Sequence, residues 1–184
     1  MAATSSPAAL GWPAARFDLP GVDGRRHTLE GARGPNGLLV MFICNHCPYV
    51  RAVAAKIARD AEALARLGIG SIAIMSNDAS AYPEDSFDNM KTFAAEHGFG
   101  FPYVIDESQD VARAYDAVCT PDFFGFDRDL ALAYHGRLDA SGRKSDPDAA
   151  RELFEAMSAV ARGGRAPLSQ TPSIGCSIKW RAPS

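Results

Sequence analysis

No stretch of this chain approaches the run of about 18 apolar residues needed to span a bilayer. Its opening, MAATSSPAALGWPAARF, has neither a basic cluster nor a continuous apolar segment. The expectation is a cytoplasmic protein with no membrane partner. Nor does one sign of charge dominate. The 19 lysines and arginines are scattered among 22 acidic residues, for a net charge of −3, so there is no electrostatic footprint for nucleic acid. Cysteine is scarce, with four in 184 residues. A chain of this length removes roughly 70% of its unfolded surface from water on folding, so it builds a core without disulfide staples or a structural metal. The few cysteines are therefore free for chemistry.

What is present is the patterning of one α/β domain. Residues 1–15, rich in Ala, Ser and Pro, show neither a helical nor a strand period and read as a flexible arm. The domain spans 16–164, and a Pro-rich tail, 165–184, packs on or near it. FDLPGVDGRRHTLE reads as a hairpin around Asp23-Gly24. LLVMFI, residues 38–43, is continuously apolar, which suits a central strand covered on both faces. Val50, Val53, Ile57, Ala61 and Leu64 then recur at helical steps as far as Gly68. IGSIAIM (69–75) is a second buried strand, a helix over 85–97 follows, and FPYVID is a third strand. After a short helix over 111–117, CTPDFFGFD and ALAYHGRLD form an antiparallel hairpin. A last helix opens at Asp146 with Pro147 in its favoured first position and stops at Gly163-Gly164. Strands alternating with helices, then a hairpin, predict a mixed central sheet with helices on both faces.

The strongest chemical signal is FICNHCPYV, in which Cys44 and Cys47 stand between a buried strand and an amphipathic helix. Three residues of separation in a first helical turn bring two side chains together, close enough for a reversible disulfide. Free amides and the positive end of the helix dipole favour a thiolate there. His46, as imidazolium, adds positive charge beside the sulfurs. Two geometries are open. With the helix capped at Cys44, Pro48 forfeits the first intrahelical hydrogen bond; with the cap at Cys47, Pro48 takes the favoured first position and Cys47 is the activated thiolate. Accessibility of the N-terminal cysteine weights the reading toward Cys44 attacking and Cys47 resolving. As half of a zinc site the motif is weak, because no second pair at ligand spacing follows. No metal and no organic cofactor is expected.

These segments, with TPSIGCSIKW in the tail, resemble the thioredoxin-like superfamily, and within it the peroxiredoxin-like branch related to alkyl hydroperoxide reductase and thiol-specific antioxidant proteins. The resemblance covers most of the chain. It implies a thioredoxin-like fold with an N-terminal β-hairpin extension, a cis-proline at Pro121 facing the cysteine pair, and Thr120 offering its backbone to an extended substrate strand. It also implies a thiol-disulfide oxidoreductase working on a protein or small-molecule disulfide with an external thiol reductant. One alternative is a thiol peroxidase with Cys47 as the peroxidatic residue; another is a redox-sensing or zinc-binding module. Two departures stand out. Where thioredoxins carry a buried aspartate before the motif this chain has Leu38, leaving His46 as substitute proton acceptor. Where peroxiredoxins carry a proline and a threonine or serine ahead of the reactive cysteine, it has Val40 and Cys44. Cys119, two residues before Pro121, reads as a small buried thiol. Cys176 is either a resolving or relay thiol or a bystander.

Overall fold

The computed structural model describes residues 1–6 and 8–182. In chain order the elements are β1 (Ala2–Thr4), β2 (Asp18–Pro20), β3 (Arg26–Thr28), α1 (Leu29–Ala32), β4 (Gly37–Phe42), α2 (Pro48–Ala65) and β5 (Ile69–Met75). A single 3₁₀ turn, Pro83–Asp85, precedes α3 (Phe87–Glu96), β6 (Tyr103–Ile105), α4 (Asp110–Ala114), β7 (Cys119–Thr120) and β8 (Asp122–Phe126). The chain closes with β9 (Leu132–Gly136), α5 (Glu152–Ala161) and β10 (Ile174–Ser177).

The continuous apolar run of β4 is explained by its place. The main sheet runs β6-β5-β4-β8-β9, with β4, β5 and β6 parallel and β8 and β9 antiparallel, so β4 lies at its centre. Successive side chains of a strand point to opposite faces. Leu39 and Met41 accordingly join one core with Val50, Val53, Ile57 and Leu64 of α2 and Leu153 and Met157 of α5. Leu38, Val40 and Phe42 join the other with Phe124, Phe126 and Tyr115. Each such side chain, taken fully out of water, contributes about 1.5–3 kcal/mol. This fixes the register of β4, and hence where the chain emerges at Ile43-Cys44.

The N-terminal segment is a correction to the reading of 1–15 as a flexible arm. β1 pairs with β10, Gly11 N–H donates to the Leu132 carbonyl at 2.7 Å and Ala14 N–H to that of Leu130 at 2.9 Å. Trp12 packs edge-on against Tyr115, with ring centroids 5.5 Å apart. Composition missed this because the segment is held by backbone pairing to strands far off in sequence, which leaves no periodic trace. The start of the last helix is also corrected. Lys56 of α2 bonds Asp139 Oδ2 at 2.5 Å, Ser141 Oγ at 3.0 Å and the Asp146 carbonyl. These contacts hold Asp146 in a loop, and α5 begins only at Glu152. The tail, for its part, supplies β10, the middle strand of a small sheet ordered β1-β10-β7. Pro7 of the arm and Pro183 and Ser184 of the tail lie outside the described residues.

Candidate active site

Two elements bring the thiols together. The chain leaves β4 and caps α2 with Cys47, and Pro48 occupies the first helical turn, where its missing amide costs no hydrogen bond. Beside this turn runs β7, followed by a cis peptide bond between Thr120 and Pro121. Thr120 touches both sulfurs: its Oγ1 is 3.3 Å from Cys44 Sγ and its carbonyl oxygen 3.1 Å from Cys47 Sγ. Cys44 and Cys47 are both fully buried, so accessibility does not single out Cys44.

The two thiols differ in acidity. A hydrogen bond from the Cys44 thiol lowers the Cys47 pKa; burial opposes it, and the Cys176 thiol and the backbone amides of Val50 and Cys176 add to the lowering, bringing Cys47 to about 5. The Thr120 carbonyl, 3.1 Å away, accepts from the protonated Cys47 thiol and opposes the lowering. Cys44, which spends its proton on Cys47, is raised well above the ordinary thiol range by that hydrogen bond, by burial and by the Asp85 carboxylate. The cap at Cys47 is the second of the two geometries, with Pro48 in the favoured first position.

Asp85, at the end of the 3₁₀ turn, is the residue that motif reading missed. It is completely buried. Its Oδ1 accepts from the amides of Asn45 (2.8 Å) and His46 (3.3 Å), and its Oδ2 accepts from Asn77 Nδ2 at 2.8 Å. His46 Nδ1 lies 2.7 Å from Asp85 Oδ2, and the imidazole stacks on Tyr82 at an interplanar angle of 4°. Tyr103 donates to Asn45 Oδ1 at 3.0 Å. The loop between the cysteines is therefore moulded around a buried carboxylate. The positive charge expected of His46 beside the sulfurs is set against Asp85, and Asp85 is the larger influence on Cys44. No sequence signal points to Asp85, since it reaches the motif from 38 residues past Cys47.

Cys44, His46 and Asp85 present donor atoms within 4.8 Å of one another, a spacing that a metal ion requires. They fit one poorly, because Asp85 already accepts three hydrogen bonds that hold the Asn45–His46 loop and Asn77. Cys119 is buried on β7, and burial pushes its pKa up strongly, which makes it a quiet core thiol. Cys176 stands on β10 directly across from Thr120 and packs against the buried cluster that includes Cys44 and Cys47. The edge of β7 expected to take a substrate strand is thus occupied by the chain's own tail. Pro121 lines a neighbouring cleft of about 300 Å³ with Tyr49, Phe123, Arg137 and Ile174. Arg137 is engaged by Glu152, and Arg128 lies in the β8–β9 turn.

The model of the AhpC/TSA family matches residues 10–135. A structure from Geobacillus kaustophilus, described as an uncharacterized conserved protein, is 45% identical with a TM-score of 0.95, over 100% of this chain and 98% of that one. A hypothetical protein from Sinorhizobium meliloti is 41% identical with a TM-score of 0.93, over 98% of this chain and 99% of that one. More distant is a peroxidoxin from Mycobacterium tuberculosis, 17% identical with a TM-score of 0.60, over 85% of this chain and 98% of that one. The thioredoxin domain of a thiol-disulfide oxidoreductase from Bacteroides vulgatus is also 17% identical, with a TM-score of 0.59, over 70% of this chain and 89% of that one. These last two share the thioredoxin-like fold. Among curated proteins, none matches this chain.

Proposed function

The chain belongs to the AhpC/TSA family, and from that premise we propose that it is a cytoplasmic thiol-disulfide oxidoreductase whose attacking sulfur is Cys47. The observation that carries this reading is the placement of Cys47 as the cap of α2 with Pro48 behind it and Cys44 beside it, both sulfurs against Thr120, a setting that lowers the Cys47 pKa. Near neutral pH a thiolate is then already present. It attacks one sulfur of a protein or small-molecule disulfide, a mixed disulfide forms at Cys47, and the other sulfur leaves as a thiolate. Cys44 next gives up its proton, with the Asp85 carboxylate and His46 within 4.8 Å of it to accept. Its thiolate attacks Cys47 Sγ, closes the Cys44–Cys47 disulfide and expels the remaining substrate thiolate. An external thiol returns the pair to the reduced state, and no organic cofactor or metal enters the cycle.

A second reading, thiol peroxidase, is favoured by one feature: the ionised cysteine is the one followed by proline at a helix start. There Cys47 takes an oxygen from a peroxide, releasing an alcohol or water and becoming a sulfenic acid, and Cys44 condenses with it to release water. Trapping tests the first reading. With a disulfide substrate, Cys44→Ser should accumulate a mixed disulfide at Cys47 while Cys47→Ser accumulates none; the opposite pattern overturns the assignment of the attacker. Comparing disulfide reduction with peroxide consumption, dithiothreitol driving both, separates the two readings. Turnover confined to peroxide would sink the first.

A further inference from the structure

We infer that Cys176 is a second disulfide partner for Cys47, so that the chain carries a three-thiol exchange site in which its own C-terminal strand receives the oxidised state from the Cys44–Cys47 pair. The inference rests on Cys47 being the reactive thiolate. Three observations place Cys176 there. β10 lies antiparallel against β7 with Cys176 opposite Thr120, whose carbonyl oxygen is 3.1 Å from Cys47 Sγ. Cys176 packs against the buried cluster that contains both Cys44 and Cys47. Unlike Cys44, Cys47 and Cys119, which are fully buried, Cys176 is only half-buried, so it connects the covered pair with solvent. A Cys47–Cys176 bond, about 2.05 Å long, would join the start of α2 to β10 across Thr120.

Electrostatics make the exchange conditional on the state of the pair. In the reduced protein burial and the neighbouring Cys47 sulfur hold the Cys176 pKa up at about 11. Once Cys47 is bonded to Cys44 its negative charge is gone, and Cys176 ionises more readily. The step balances without an added oxidant or reductant. Cys176 loses its proton to water, its thiolate bonds Cys47 Sγ, the Cys44–Cys47 bond breaks, and the electron pair goes to the Cys44 sulfur, which regains a proton from the Asp85–His46 side. One disulfide is exchanged for another that joins α2 to β10. Lys179, whose charge favours the Cys176 thiolate, lies on the same tail.

The test is peptide mapping of disulfides after treatment with oxidised glutathione as the low-molecular-weight disulfide. In Cys44→Ser the glutathione first caught on Cys47 should be expelled by Cys176, leaving a Cys47–Cys176 link within one chain. The Cys47 adduct should be at least about tenfold scarcer than in the Cys44→Ser/Cys176→Ser double variant, because the tethered thiol acts at a high effective concentration. The wild-type protein should show Cys44–Cys47 and Cys47–Cys176 links together. A stable glutathione adduct on Cys47 with Cys176 free, equal in the single and double variants, overturns the inference and leaves the reactivity of Cys47 standing. Absence of any adduct or link at Cys47 in both overturns the inference together with the reading it rests on.

Discussion

At the level of single residues, the cysteine pair was legible and the carboxylate that supports it was not. Cys44 and Cys47 declare themselves by spacing alone, and Pro48 next to Cys47 fixes where the helix is capped, a consequence of proline lacking an amide. Asp85 is invisible in the sequence because hydrogen bonds to loop amides require only that a carboxylate arrive, from any separation. Its two oxygens hold the Asn45 and His46 amides and the Asn77 side chain, so Asp85→Asn turns an acceptor toward Asn77 into a donor. We expect a loss of about 2 kcal/mol in urea melts, as for a buried hydrogen bond to a charged group. The same change removes the proton acceptor beside Cys44. Resolution of the Cys47 mixed disulfide should slow by about a hundredfold near neutral pH and recover as pH rises and hydroxide takes over. An unchanged rate with lowered stability would mean that Asp85 only shapes the loop.

At the level of elements, the strands and helices that follow a local period were readable. Ile69–Met75 is found where its apolar run places it, and α2 fills the heptad-like stripe from Val50 to Leu64. What the pattern concealed was pairing between distant segments. β1 and β10 have no apolar alternation because they are held edge to edge by backbone bonds, and the delayed start of α5 follows from Lys56, a residue of another helix. β10 has one tight approach: a Cβ on Gly175 would fall 2.0 Å from the Thr120 carbonyl oxygen, a clash that only backbone movement can relieve. Gly175→Ala should therefore lift β10 from β7, cost about 1–3 kcal/mol, and speed alkylation of Cys176 by iodoacetamide. Unchanged alkylation, read by mass spectrometry, would show that the strand tolerates the added methyl group.

At the level of the whole molecule, the acidity of one thiol couples the redox state to folding. The Cys47 pKa is lowered to about 5 in the folded chain and returns to about 9 on unfolding. Its contribution to the stability of the reduced protein is fully present above the unfolded value and is lost as pH falls toward the folded one. Across that window the other three thiols, all held up in the folded chain, stay protonated whether it is folded or not. Closing a four-residue loop stabilises the oxidised protein by about 2 kcal/mol, similar in size to the thiolate contribution near neutral pH, so the informative quantity is the slope. The stability of the reduced form relative to the oxidised form should rise by about 1.4 kcal/mol per pH unit within the window, and calorimetric melts of both forms at several pH values check it. The architecture of the sheet was legible because its central strands are apolar on both faces; Cys176 was legible only as a relay thiol or a bystander, because its place opposite Thr120 is set by strand pairing between distant segments. The most direct measurement is titration of the ultraviolet thiolate absorbance in the reduced protein. A transition with its midpoint at about 5, abolished by Cys47→Ser, is the predicted result. A transition only near the ordinary thiol value, or one that survives Cys47→Ser and vanishes in Cys44→Ser, would contradict the assignment of Cys47 as the nucleophile.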